Sequence, residues 1–144
     1  MQAEALEQLL QRNCRQKAGL CVVTTIKIKK IENLIENFQN CYPQQDFFML
    51  SLDMLDEQQL PSFFNGLFQV DAIVFAGGFT CYGLLTDQAE TEISSLLNIH
   101  LKVPILICRK LQNKLSQSGH GRIVFIGSVY GQLGSSMEAV YKLC

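Results

Sequence analysis

Residues 121–141, GRIVFIGSVYGQLGSSMEAVY, carry an unbroken apolar run into a glycine-punctuated loop and then into a segment of helical pattern. The run from Ile123 to Ile126 has strand length and no polar alternation, which is the pattern of a strand covered on both faces. Ser128 follows it almost directly, and Tyr141 stands thirteen positions later, near the start of the expected helix. Apolar strand, glycine loop and helix in that order form one repeat of an α/β chain.

The same alternation extends toward the N-terminus. Residues 3–17 read as a helix, with Ala5, Leu6, Leu9 and Leu10 at helical spacing, and Gly19 stops it ahead of the strand LCVVTTI. Ile31, Leu34, Ile35 and Phe38 make a second helical stripe that ends before Pro43, and DFFMLSL is the next strand. EQQLPSFFNGLF gives a short helix, and DAIVFAGG an apolar strand ending in two glycines. A long helix is expected from an N-cap at Thr86 or Asp87, with Glu90 behind it and a kink at Pro104. Strands this apolar, alternating with helices, predict a doubly wound parallel α/β sheet with right-handed crossovers, in a single domain over 1–144.

Composition narrows the function classes. The 144 residues are 48% apolar and 17% charged, in the range of a globular domain. The net charge is −1 and the basic cluster is confined to Lys27, Lys29 and Lys30, which argues against nucleic acid. Apolar runs such as AIVFA and PILIC fall far short of the roughly 20 residues of a membrane helix, so the expectation is no membrane and a cytoplasmic protein. Six cysteines without a CxxC pair, and two histidines, point to reduced core thiols and no metal.

In a doubly wound sheet, ligands bind beyond the carboxyl ends of the strands. The residues there are Thr24 to Lys27, Asp53, Ala76 to Gly78, and Gly127 with Ser128. Gly77 and Gly78 either let a cofactor approach the backbone or form a tight turn at positive φ. Asp53 either binds an adenine or ribose edge or caps the next helix. Ser128 and Tyr141 are placed for two hydroxyls to converge on one reacting oxygen.

Taken together, these stretches resemble the short-chain dehydrogenase/reductase (SDR) family, particularly its 3-oxoacyl-acyl-carrier-protein reductase-like members. The resemblance spans roughly residues 19–144 and is strongest where GRIVFIGSVYGQLG…Y matches the family's G-R-I-V-x-I-S-S-x-x-G run. It implies a Rossmann-type fold, Ser128 as the residue that hydrogen-bonds the substrate carbonyl, and Tyr141 as the general acid. SLDMLD is similar to the family's D-x-x-D stretch, which implies an adenine contact for Asp53. DAIVFAGG stands where the family has D-x-L-V-N-N-A-G, which puts Ala76, Gly77 and Gly78 on the cofactor-lining turn with both asparagines absent. NIHLK resembles the V-N-L-x motif with His100, rather than Asn98, in register with the catalytic asparagine. There an imidazole holds a proton-relay water, or else it is a core histidine bonded to a backbone carbonyl.

The implied activity is an NAD(P)H-dependent oxidoreductase that reduces a small-molecule or carrier-bound ketone. A free tyrosine has a pKa of about 10, so the family sets a lysine four residues beyond it, here position 145. Lys142 points about 100° away from Tyr141 along the helix. The family's T-G-x-x-x-G-x-G loop is not found, because Gly19 is the first glycine. The chain therefore reads as a truncated family member, lacking the first strand and the C-terminal part, with the chemistry belonging to a homo-oligomeric parent. Lysines and no acid in TTIKIKK favour NADP(H) over NAD(H). YGQLGSSMEAVY also resembles the elongation factor P 5-aminopentanone reductase subgroup. Two other readings stand beside this one: a non-catalytic SDR-like partner docking through its long helices, and an unrelated flavodoxin-like binding module.

Overall fold

A computed structural model of the chain describes residues 20–25, 32–41, 43 and 46–144. They fall in two compact units, one reaching to Gly66 and one running from Leu67 to Cys144. The helix expected over 3–17, together with Lys27, Lys29 and Lys30, lies outside the described residues.

The first unit is a β-α-β crossover. Strand β1 (Leu20–Thr25) leads through helix α1 (Glu32–Cys41) to strand β2 (Asp46–Ser51), and the strands pair in parallel from Leu20 opposite Asp46 to Thr25 opposite Ser51. Pro43 follows the helix, where its missing amide and fixed φ discourage another turn. Beyond β2 the chain is organised by two aspartates. Asp53 Oδ1 accepts from Leu55 N–H at 2.9 Å, an Asx-turn. Asp56 Oδ1 accepts from Gln58 N–H at 3.1 Å and caps a 3-10 turn, Glu57–Gln59. Helix α2 (Leu60–Asn65) continues it with Pro61 in the first turn, where no amide donor is needed.

The second unit carries strand β3 (Ala72–Phe75), helix α3 (Glu90–Leu97), a π-helical turn (Asn98–Lys102), helix α4 (Val103–Gln117), strand β4 (Arg122–Phe125) and helix α5 (Ala139–Leu143). β3 and β4 are parallel, with Ala72 opposite Arg122 and Phe75 opposite Phe125. The last pair stack their rings with centroids 4.7 Å apart, a cross-strand contact that fixes the register. Two parallel β-α-β crossovers give the Rossmann-type α/β architecture expected from the alternation of apolar runs.

The long helix departs from expectation in two ways. Its N-cap is Ala89 rather than Thr86 or Asp87, because those two are engaged in the preceding turn. Asp87 N–H bonds to Leu84 O at 2.9 Å, and its carboxylate takes the Thr86 hydroxyl at 3.1 Å. Glu92 instead reaches back to Ala89 N–H at 3.2 Å. Further along, Pro104 has no hydrogen to give the carbonyl of His100, and the turn before it widens. Val103 N–H bonds to Asn98 O, five residues back, which is the π pattern.

Across this irregularity one stripe stays buried: Leu96, Ile99, Val103, Ile107, Leu111 and Leu115 are all at most 7% exposed. Leu97, Leu101 and Ile105 form an outward stripe. The whole helix, Glu90–Gln117, is 28 residues and by length and composition is able to cross a membrane, longer than the separate apolar runs suggested. Its buried stripe is equally what a core helix presents. Strand β4 also departs from the expected burial on both faces, since Ile123 is 46% and Phe125 57% exposed. Among the described residues, Cys41 is exposed while Cys81, Cys108 and Cys144 are half-buried, and burial pushes the Cys108 and Cys144 thiols up.

Leu96→Ala is expected to destabilise the protein by about 2–5 kcal/mol in urea denaturation, the range for emptying a closed core site. Ile105→Ala, at a position 61% exposed, should change stability by less than about 0.5 kcal/mol.

Candidate active site

The site is built at the carboxyl end of β3, entirely within the second unit. Gly77 and Gly78 follow the strand, and neither adopts positive φ; among the described glycines only Gly119 does. The requirement at Gly78 is space. A Cβ placed there would run into His100 Cε1, closer than real Cβ atoms come, and would stand 3.0 Å from Nε2. At Gly77 nothing lies within 4 Å of such an atom, so its face is open. The turn reading from sequence is thus corrected: Gly78 is small because an imidazole lies against it.

His100 sits in the π turn, and its Nε2 is 2.8 Å from the carbonyl oxygen of Phe79. A carbonyl only accepts, so Nε2 is the donor, and in the neutral ring Nδ1 is left as an acceptor. The ring also meets Tyr141 edge-on, with centroids 5.3 Å apart and planes at 69°. Of the two sequence readings of His100, the bond to a backbone carbonyl is present, on a ring that is half-buried rather than in the core.

Tyr141 is placed by α5, which starts four residues later than the sequence pattern of SSMEAVYKLC suggests. The delay comes from Met137, which adopts φ +70°, a left-handed conformation that ends the loop before the helix can begin. Lys142 directs its Nζ over Gly134, 3.2 Å from where a Cβ would stand. Ser128 lies just past β4 and caps the 3-10 turn Val129–Gly131, its Oγ accepting from Tyr130 N–H at 3.3 Å. That contact leaves the hydroxyl hydrogen for another acceptor.

One site residue was not legible in sequence. Glu138 is 6% exposed and is the buried charged side chain among the described residues. Its carboxylate accepts from Ser135 Oγ at 2.5 Å and from Thr80 Oγ1 at 2.7 Å. The hydroxyl of Ser135 first, then that of Thr80, hold its pKa below the ordinary carboxylate value, against the opposing effect of burial. In sequence, Glu138 is an acid near a helix start, a position that usually marks solvent or a cap, so nothing singled it out.

Asp53 belongs to the first unit, where its carboxylate is used in the Asx-turn described above. A cleft of about 760 Å³ in the second unit is lined by residues of α4 and β4, including Ile105, Cys108, Ile123 and Phe125. Ser128, His100 and Tyr141 do not line it.

A family model described as short chain dehydrogenase matches residues 8–142. The chain is 30% identical over 74 residues to the uncharacterized oxidoreductase YmfI of Bacillus subtilis, covering 51% of this chain and 31% of that protein. It is 31% identical over 96 residues to carbonyl reductase family member 4 of Xenopus tropicalis, covering 64% of this chain and 41% of that one. Among solved structures, a ketone-specific alcohol dehydrogenase from Comamonas testosteroni superposes with a TM-score of 0.79 at 17% identity, over 98% of this chain and 55% of that one. A short-chain dehydrogenase from Sphingobium yanoikuyae in complex with NADPH gives the same TM-score and identity. The chain thus spans less than half the length of these curated relatives and about half that of the solved structures.

Gly78→Ala should cost about 1–3 kcal/mol by overpacking against the imidazole, and the cost should shrink in a His100→Ala background when both are measured by denaturation. The ionised Glu138 contributes stability that is complete above its unfolded pKa of about 4.3 and is lost as pH falls through its lower folded value. The stability advantage of the wild type over Glu138→Gln should therefore shrink on acidification below about pH 4 and hold at neutral pH.

Proposed function

The chain belongs to the short-chain dehydrogenase family, and on that premise we propose that it carries the proton-donating half of an NAD(P)H-dependent ketone reductase site. The observation that supports this most is the edge-on approach of Tyr141 to His100 at the carboxyl end of β3. In this reading a bound nicotinamide supplies the hydride. The phenol of Tyr141 gives its proton to the carbonyl oxygen, and the hydroxyl of Ser128 orients that oxygen. His100, with Nε2 committed to Phe79, offers Nδ1 as the acceptor that holds a water, and that water returns a proton to Tyr141 and is itself reprotonated from solvent.

The residues at the strand end suit a nicotinamide. Gly77 is open where a side chain would stand, and Ala76 beside it adds only a methyl group, so the pair fits the wall of a cofactor site. Asp53 is proposed as the adenine contact. Lys27, Lys29 and Lys30 favour the 2′-phosphate of NADP(H). No glycine precedes Gly19, so a glycine-rich pyrophosphate loop is not among the groups proposed. The substrate is a ketone of small-molecule or carrier-bound type, with a modified-lysine ketone as the narrowest form of the proposal. The flavodoxin-like alternative is set aside by the family match.

A second, non-catalytic reading draws on Leu97, 41% exposed, Leu101, 38%, and Ile105, 61%, an outward apolar stripe suited to docking on another family member, including a further copy of the chain.

The test is fluorescence titration of the purified chain with NADPH, with circular dichroism to establish folding, followed by NADPH oxidation over a panel of ketones. Saturable binding is expected, and Tyr141→Phe should lower turnover by at least about 100-fold without weakening cofactor binding. A cooperatively folded chain that does not bind NADPH would sink the catalytic reading.

A further inference from the structure

Glu138 has an unusual set of partners for a buried acid. A carboxylate withdrawn from water is normally matched by a cation or by the amides of a helix start. Here, among the described residues, both oxygens are matched by hydroxyls alone, Oε2 by Ser135 and Oε1 by Thr80, and the side chain does not cap the helix it precedes. A second link runs parallel to the Thr80 contact, since Gly83 N–H donates to Met137 O at 2.8 Å. The segment entering α5 is thereby tied at two points to the loop leaving β3.

The position of Thr80 gives this tie a direction. Thr80 is the next residue after Phe79, whose carbonyl holds His100 Nε2. Glu138 is one helical turn before Tyr141, whose ring meets His100 edge-on. The contacts close a circuit: His100 to Phe79, one peptide to Thr80, across to Glu138, one turn to Tyr141, and back to His100. The Thr80 and Phe79 contacts thus tie together the segments that carry the two rings. From this closed circuit we propose that Glu138 is a positioning residue, which through Thr80 sets the phenol of Tyr141 against His100. The proposal rests on the reading of Tyr141 as the proton donor, but the placement it describes is measurable without turnover.

Charge is what makes the tie directional. An ionised carboxylate only accepts, so both hydroxyls must donate. A glutamine keeps the shape but presents one N–H₂ group, which forces one hydroxyl to reverse or to lose its partner. Thr80→Val removes one donor from the other side and leaves the shape nearly unchanged.

The test uses the full chain with its four tyrosines replaced by 3-fluorotyrosine and read by fluorine NMR, the Tyr141 signal being the one lost in Tyr141→Phe. Glu138→Gln and Thr80→Val should each move the Tyr141 signal by more than its linewidth and leave the other tyrosine signals in place. Thr80→Ser, which keeps the hydroxyl, should return the signal to its wild-type position. An unmoved Tyr141 signal in both variants would overturn the proposal. So would the collapse of all four signals together in both, because Glu138 would then hold the unit together rather than aim one ring. In an active preparation, Glu138→Gln should lower kcat about 10-fold or more with KM for NADPH unchanged. A chain without NADPH oxidation whose Tyr141 signal still follows Glu138 would remove the proton-donor reading alone.

Discussion

The imidazole of His100 reaches the carbonyl of Phe79 because two groups are missing: an amide hydrogen on Pro104 and a side chain on Gly78. In a regular helix Pro104 would donate to the carbonyl of His100, and the helix would keep its pitch through Leu101 and Lys102. Without that donor the turn widens to the bond from Val103 to Asn98. Gly78 then leaves room for the ring, which would otherwise collide with a Cβ. Backbone geometry in one element and side-chain absence in another therefore cooperate to place one ring, and the tyrosine is arranged around it.

The buried stripe of the long helix explains why this irregularity is tolerated. Leu96, Ile99, Val103, Ile107, Leu111 and Leu115 remain within 7% exposure on both sides of the π turn. An inserted residue would ordinarily rotate everything beyond it away from the core, by about 100°. From Ile99 to Leu115 the apolar residues recur every four positions, slightly more than one α-helical turn, so the extra residue of the π turn offsets part of the accumulated drift and the apolar face runs on through α4. Core burial thus supplies the rigidity against which a weakened helical turn can hold His100, since buried side chains of this size contribute roughly 1.5–3 kcal/mol each.

Most of the fold was legible because hydrophobic periodicity marks helices and strands directly. LCVVTT, DFFMLS, AIVF and RIVF are strands where the apolar runs placed them, and the glycines, prolines and polar clusters bound them. The boundaries that moved did so through side-chain competition that a periodic pattern does not express. Thr86 satisfied Asp87 instead of a helix amide, and Met137 took a left-handed turn that postponed α5. Within the site, Ser128, His100 and Tyr141 could be named from spacing and resemblance, since each is a chemically distinctive residue at a strand end or on a helix. The reason for Gly78 could not, because close approach between residues twenty-two apart has no local signature. Glu138 was hidden for the same reason: its partner Thr80 is fifty-eight positions away.

The positions of these groups also bear on how far the chemistry depends on the rest of the chain. Gly78, Thr80, His100, Ser128, Glu138 and Tyr141 all lie between Leu67 and Cys144, within one compact unit. The contacts among Gly78, Thr80, His100, Glu138 and Tyr141 run through three segments of that unit: the loop leaving β3, the π turn, and the entry to α5. Relative placement of the imidazole and the phenol is therefore a local property, fixed by short-range packing and by a carboxylate that only accepts. The groups proposed for the cofactor are distributed differently: Asp53, the proposed adenine contact, lies in the first unit, whereas Ala76 and Gly77, proposed for the nicotinamide wall, lie in the second. On that proposal a substitution at Asp53 leaves the contact between the imidazole and the phenol untouched, because every group that makes it belongs to the second unit.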